Sequence, residues 1–203
     1  MSTPARGRPP ASSREVLADA ALELFLEQGY EATSVTEITR RVGVSRASFF
    51  NYFASKPETL WFVLDRRIEV LTGALLDPQI PFAEALTAAG AEARPDTLAL
   101  AIVDARTMGV EAELARGRAD RQQLVAAAVA ARLVRDGAPQ RDAEIVGAGY
   151  AAALFAAVWT WAAKGAGRYS LTDEIGRAVT AAHRLLRPEL VTLGDPETRS
   201  SAQ

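Results

Sequence analysis

Between Ser34 and Lys56 the sequence reads SVTEITRRVGVSRASFFNYFASK, with two helix-start signals on either side of a glycine. Ser34 and Glu37 have the spacing of a capping box, in which side chain and backbone satisfy each other's first-turn groups. Ser45 offers a second N-cap oxygen just past Gly43. Glycine tolerates the positive φ that a sharp turn between two such helices demands. Ile38, Val42, Val44, Phe49 and Phe53 are spaced to build a small core between them. A short support helix, a tight turn and a second short helix packed across it is a demanding pattern, and it matches a helix-turn-helix.

The flanking sequence extends the same logic. Ser12 and Glu15 form a capping box, and Val16, Leu17, Ala20, Ala21, Leu24 and Phe25 recur at helical spacing until Gly29. Ser55 and Glu58 repeat the box, with Pro57 tolerated in the first turn, and predict a helix to about Leu76. Pro78, Pro81 and Pro95 punctuate the next stretch of chain, leaving a short helix over 82–91. Asp96 caps a predicted helix through about Met108, and Glu111 to Arg135 predicts another before Asp136-Gly137. Arg141 to Lys164 reads as a long Ala-rich helix ended by Gly165 and Gly167. Ser170 and Asp173 open a last helix to about Leu186, stopped by Pro188. Strand signals are nearly absent, so the predicted class is all-α with about nine helices. The predicted organisation is a flexible basic arm over 1–12, a helix-turn-helix domain over 13–56, a helical regulatory and dimerisation domain over 57–190 and a polar tail over 191–203.

Composition removes several alternatives. With 203 residues, about half of them hydrophobic, the chain has ample material for a core. It has no cysteine, which excludes disulfides, thiolate metal sites and cysteine nucleophiles. No unbroken run of about 18 apolar residues is seen, so no membrane span is expected. The polar N-terminus lacks the apolar centre of a secretory signal, and a cytoplasmic location is expected. The single histidine, His183, lies in the last predicted helix among alanine and leucine, and there is no HExxH, P-loop or nucleophile elbow. An enzyme is therefore disfavoured, and no cofactor or metal is expected.

The net charge of −2 conceals a local pattern, with seven basic and six acidic side chains among residues 1–56. Glu15, Asp19, Glu23, Glu27 and Glu31 follow one segment, whereas the arginines sit in the arm and the helix pair. Local charge, not overall charge, governs phosphate contact. On the second short helix, Arg46 suits guanine or phosphate and Asn51 suits adenine, while Ser48 and the Tyr52 hydroxyl suit phosphate. Ala47, Thr33 and Thr36 complete the candidate face, and Lys56 offers an ammonium at the start of the next helix. Arg6 and Arg8, in an Arg-Gly-Arg-Pro core, suit a narrow A·T minor groove. A basic leader that only attracts phosphate is the plainer alternative.

Gly29-Tyr30, Thr33-Ser34-Val35, Ile38, Gly43-Val44-Ser45, the Phe49 to Phe53 aromatic run and Ser55-Lys56 together resemble the TetR family of bacterial regulators. The resemblance covers roughly residues 13 to 62. Two positions depart from it: Thr39 stands where the family often has alanine, and Phe50 where it often has a tyrosine whose hydroxyl contacts the DNA backbone. The resemblance implies a repressor that binds a palindromic operator as a homodimer through its last two long helices and is released by a small molecule. The aromatic run and Trp-containing penultimate helix are similar to a subgroup near the mycofactocin regulator, whose relatives respond to acyl-CoA-type effectors. Candidate effector-binding residues are Phe62, Phe82, Ile102, Arg106, Met108, Tyr150 and Trp161, apolar groups with a few polar atoms among them. A helical adaptor that binds protein instead of DNA is the main alternative.

Overall fold

The computed structural model describes residues 13–91 and 93–186. The arm with Arg6 and Arg8, the Ser12 cap, Pro188 and the polar tail lie outside the described residues. Those residues form ten α-helices and no strand: α1 (Ser13–Gln28), α2 (Val35–Val42), α3 (Arg46–Phe50), α4 (Glu58–Leu76), α5 (Phe82–Thr87), α6 (Thr97–Val103), α7 (Ala105–Met108), α8 (Glu111–Arg135), α9 (Gln140–Gly165) and α10 (Leu171–Leu186). A 3-10 turn over Ala88–Gly90 follows α5. The all-α class is therefore as expected.

One expected helix is two. The segment over 97–108 starts on Asp96, whose side chain accepts from the Ala99 amide, but breaks at Asp104, where φ is −101° and ψ is 20°. Aspartate disfavours helix interiors because its carboxylate competes for nearby backbone groups. The second short expectation also shrinks: α3 ends at Phe50, with Asn51 as its C-cap, two residues before Tyr52.

The chain groups into two compact units, one of residues to Val63 with Asp96–Leu114, the other of Leu64–Pro95 with residues from Ala115 onward. In the first unit, α1 packs on α2, α6 and α7, and α2 packs on α3. Its core holds Leu17, Phe25, Ile38, Phe49, Phe53, Trp61 and Met108. The Tyr30 amide donates to the Met108 carbonyl at 2.7 Å, and Trp61 Nε1 donates to Glu113 at 3.4 Å.

In the second unit α9 and α10 pack along each other, and α10 also meets α5 and the 3-10 turn. A Cβ on Gly147 would stand 2.5 Å from the Ala126 carbonyl oxygen, so α8 and α9 approach at a distance only glycine permits. The last turn of α4 has no basic residue of its own. Two arginines of α8 cap it instead. Arg135 donates to Leu75 and Leu76 carbonyls at 2.6 and 3.1 Å, and the buried Arg132 donates to Leu75, Asp77 and Ile80 carbonyls at 3.4, 3.2 and 3.1 Å. Orphan carbonyls at a helix end favour such cationic donors.

The expectation of no spanning-length apolar helix needs correction. By length and composition alone, α9 is long and apolar enough to cross a bilayer. More than half of its apolar window is buried, with Val146, Tyr150, Leu154, Phe155, Val158 and Trp161 turned inward, as in the central helix of a helical core.

Candidate nucleic-acid interface

The support helix is built as its sequence demands. Ser34 accepts from the Glu37 amide at 3.2 Å while the Glu37 carboxylate takes the Ser34 amide at 2.8 Å. The Ser34 amide, then the Ser34 hydroxyl and the Gln28 side chain, hold the Glu37 carboxyl below its ordinary pKa. Gly43 closes α2 at φ 72°, and the Val44 amide reaches back to the Thr39 carbonyl at 3.0 Å. This closure satisfies two of the helix's last carbonyls. Ser45 then caps α3 by accepting from the Ser48 amide at 3.1 Å.

The small core is tighter than the spacing implied. Ile38, Phe49 and Phe53 are buried, but Val42 is half-buried and Val44 is exposed. Val44 follows the left-handed glycine, so its backbone is held by the turn while its side chain stays at the surface. Thr39, the first departure from the family pattern, is buried, and its hydroxyl donates to the Thr36 carbonyl at 3.1 Å. That bond satisfies the polar atom in place.

On the outer face, Thr36, Arg46, Ala47, Asn51 and Tyr52 are exposed, together with Phe50. Ser48 is half-buried, its hydroxyl 3.0 Å from that of Ser45. Two expected contacts turn inward. Thr33 is buried and donates to the Gly29 carbonyl at 2.8 Å. Lys56 places its ammonium 2.7 Å from the Tyr30 carbonyl and 3.0 Å from that of Thr33, and 3.9 Å from the Tyr30 ring centroid. Burial lowers the Lys56 pKa, opposed by Glu31 and Glu113. The Lys56 side chain ties the α1–α2 turn to the start of α4, whereas the Thr33 hydroxyl bonds within that turn. Arg41 is likewise engaged, paired with Glu27 and Glu23 of α1, while Arg40 stays exposed beside Glu37 at 4.0 Å. The acidic ridge of α1 thus takes one of the head's arginines away from any ligand.

The second unit holds a small apolar cavity of about 30 Å3, lined by Leu64, Ile68, Leu71, Val125, Phe155 and Val158 among others. Arg67 stands at its edge, donating to the Ala89 and Ala91 carbonyls at 3.0 and 3.1 Å. None of the seven expected effector residues lines this cavity. Phe62, Ile102, Arg106 and Met108 belong to the first unit. There Phe62 packs on Phe53 with centroids 5.6 Å apart, Met108 is fully buried, and Arg106 is exposed. Phe82 packs edge-on against Tyr150, whose hydroxyl lies 3.2 Å from His183 Nδ1, and Trp161 donates to the Tyr169 carbonyl at 2.9 Å. These aromatics fill helix seams. Composition marks them as apolar, but their partners are residues no local pattern reveals.

A capped support helix, a left-handed glycine turn and a second helix with an exposed polar face define a helix-turn-helix DNA-binding domain. The chain matches, over residues 17–58, the family model described as bacterial regulatory proteins, tetR family. It is 34% identical over 85 residues to a Mycobacterium tuberculosis protein named as a mycofactocin biosynthesis transcriptional regulator, MftR, covering 41% of this chain and 43% of the relative. It is 27% identical over 146 residues to the transcriptional repressor AcnR of Corynebacterium efficiens, covering 65% and 70%. The chain thus spans under half the length of MftR. A TetR-like transcriptional regulator from Rhodococcus sp. RHA1 shares the fold, with a TM-score of 0.50 at 21% identity over 89% of this chain and 99% of that one.

Proposed function

We propose that the chain is a sequence-specific DNA-binding transcriptional regulator, a repressor that binds a palindromic operator in the cytoplasm as a homodimer. The observation that carries this reading is the face of α3. Phe49 is buried to hold the helix, while Arg46 and Ala47 on it and Asn51 and Tyr52 just past its end are left exposed, in a segment set by two caps and a glycine turn. In the major groove Arg46 donates to guanine and Asn51 reads adenine, while Thr36, Ser48 and Tyr52 contact phosphates. Arg6 and Arg8 of the arm add minor-groove or phosphate contacts. Head and regulatory part divide near residue 56.

One such helix is a small footprint, and two related by a twofold axis cover successive half-sites. The outward side of α9 and α10 supports pairing. On α9 Ile145 and alanines 148, 152 and 156 are exposed, the alanines permitting close helix approach, and on α10 Leu185 is exposed. A small-molecule effector opening the apolar cavity of the second unit, through differential affinity for two conformers, releases the operator.

The test is selection of duplexes from a random library with the purified full chain. The expected product is an inverted repeat, bound with an affinity that falls steeply with salt. Failure to enrich any sequence would sink the proposal in favour of a protein-binding adaptor.

A further inference from the structure

The recognition helix carries one large apolar side chain that the head's core does not use. Phe50 is 48% exposed, whereas Phe49 and Phe53 on either side of it are buried. Its ring meets Phe49 edge-on at 5.4 Å, and the guanidinium carbon of Arg46, one turn earlier, lies 6.0 Å from its centroid. A phenyl on a face otherwise made of Arg46, Ala47, Asn51 and Tyr52 is held out toward whatever that face meets. Of the groups that base edges present in the major groove, the apolar one is the 5-methyl of thymine. Ring and guanidinium, four residues apart on one helical face, are placed to meet adjacent base pairs.

We infer that Phe50 is a specificity-determining residue that covers the 5-methyl of a thymine next to the base contacted by Arg46. A phenyl has no hydroxyl with which to anchor to a phosphate, so the contact it can make with DNA is apolar. The inference rests on the proposed DNA-binding function and adds to it a base and an atom.

Deoxyuridine in place of thymine removes that methyl and nothing else. Each thymine in one half-site of a library-selected operator is replaced singly, and affinities are measured for the full-length wild type, Phe50→Ala and Phe50→Tyr, with helicity and melting checked for each. At one position wild type is expected to bind roughly fourfold more weakly, the worth of one buried methyl. Phe50→Ala is expected to be indifferent to that replacement, and Phe50→Tyr, which keeps the ring, to remain sensitive. Wild-type indifference to every replacement overturns the inference while leaving sequence-specific binding intact, and so does undiminished sensitivity in Phe50→Ala. If Phe50→Ala does not fold, the wild-type and Phe50→Tyr scans decide. A chain that selects no sequence at all removes the proposed function and this inference together.

Discussion

The ammonium of Lys56 lies against Tyr30 twice over, 2.7 Å from its carbonyl oxygen and 3.9 Å from its ring centroid. A lysine expected at the DNA surface is thereby a strut joining the α1–α2 turn to the start of α4. Lys56→Ala should cost about 1–3 kcal/mol of stability, because the Tyr30 and Thr33 carbonyls lose their donor. A phosphate contact would instead lower the salt slope of DNA binding by about one. Thermal melting and a salt titration of the variant separate the two roles, and an unchanged melting temperature with a lower slope would reverse the assignment.

Arg46 is expected to behave oppositely. It is exposed and carries little of the head's packing. Arg46→Ala should leave melting within about 0.5 kcal/mol of wild type. It should weaken operator binding by about 1–3 kcal/mol and relax the preference at one base pair. A uniform loss across unrelated duplexes would reassign Arg46 to phosphate.

Ser34→Ala removes the oxygen that holds the Glu37 amide. The expected loss is about 0.5–2 kcal/mol, read by denaturant titration. Gly147→Ala should be costlier, above about 2 kcal/mol, since its Cβ would meet a backbone carbonyl that cannot swing away. A neutral Gly147→Ala would mean that α8 and α9 separate readily.

Glu174 on α10 is buried and accepts from Arg177 and Lys164, both at 2.8 Å. Those bonds, Arg177's first, hold its pKa below the ordinary 4.5. A depressed carboxylate stabilises the fold above its unfolded pKa, and the contribution is lost as pH falls through the folded value. Melting temperature should therefore drop from about pH 5 downward, and Glu174→Gln should flatten that decline while lowering stability near neutrality. An unaltered acid limb in the variant would place the pH dependence elsewhere.

The head is legible in the sequence because its information is local. Ser34, Glu37, Gly43 and Ser45 act within a few residues, so spacing alone locates both caps and the turn. Lys56 escapes such a reading for the opposite reason: its carbonyl partners lie 26 and 23 residues earlier and appear only once α1 has turned back. Thr33 and Val44 show the same limit, since burial of a loop side chain depends on which way a turn throws it. The cavity is the least legible feature. Leu64, Ile68 and Phe155 look like any apolar helix residues, and several helices must pack before a void between them exists.

That void has room for about one water molecule. On the proposed reading, an effector that uses this cavity must pry its helices apart before it fits, and its apparent affinity is discounted by the rarity of the open form. The resting protein then defaults to holding its DNA. Trace metabolites pass unnoticed, and only an accumulation large enough to meet the cost of opening is read as a signal.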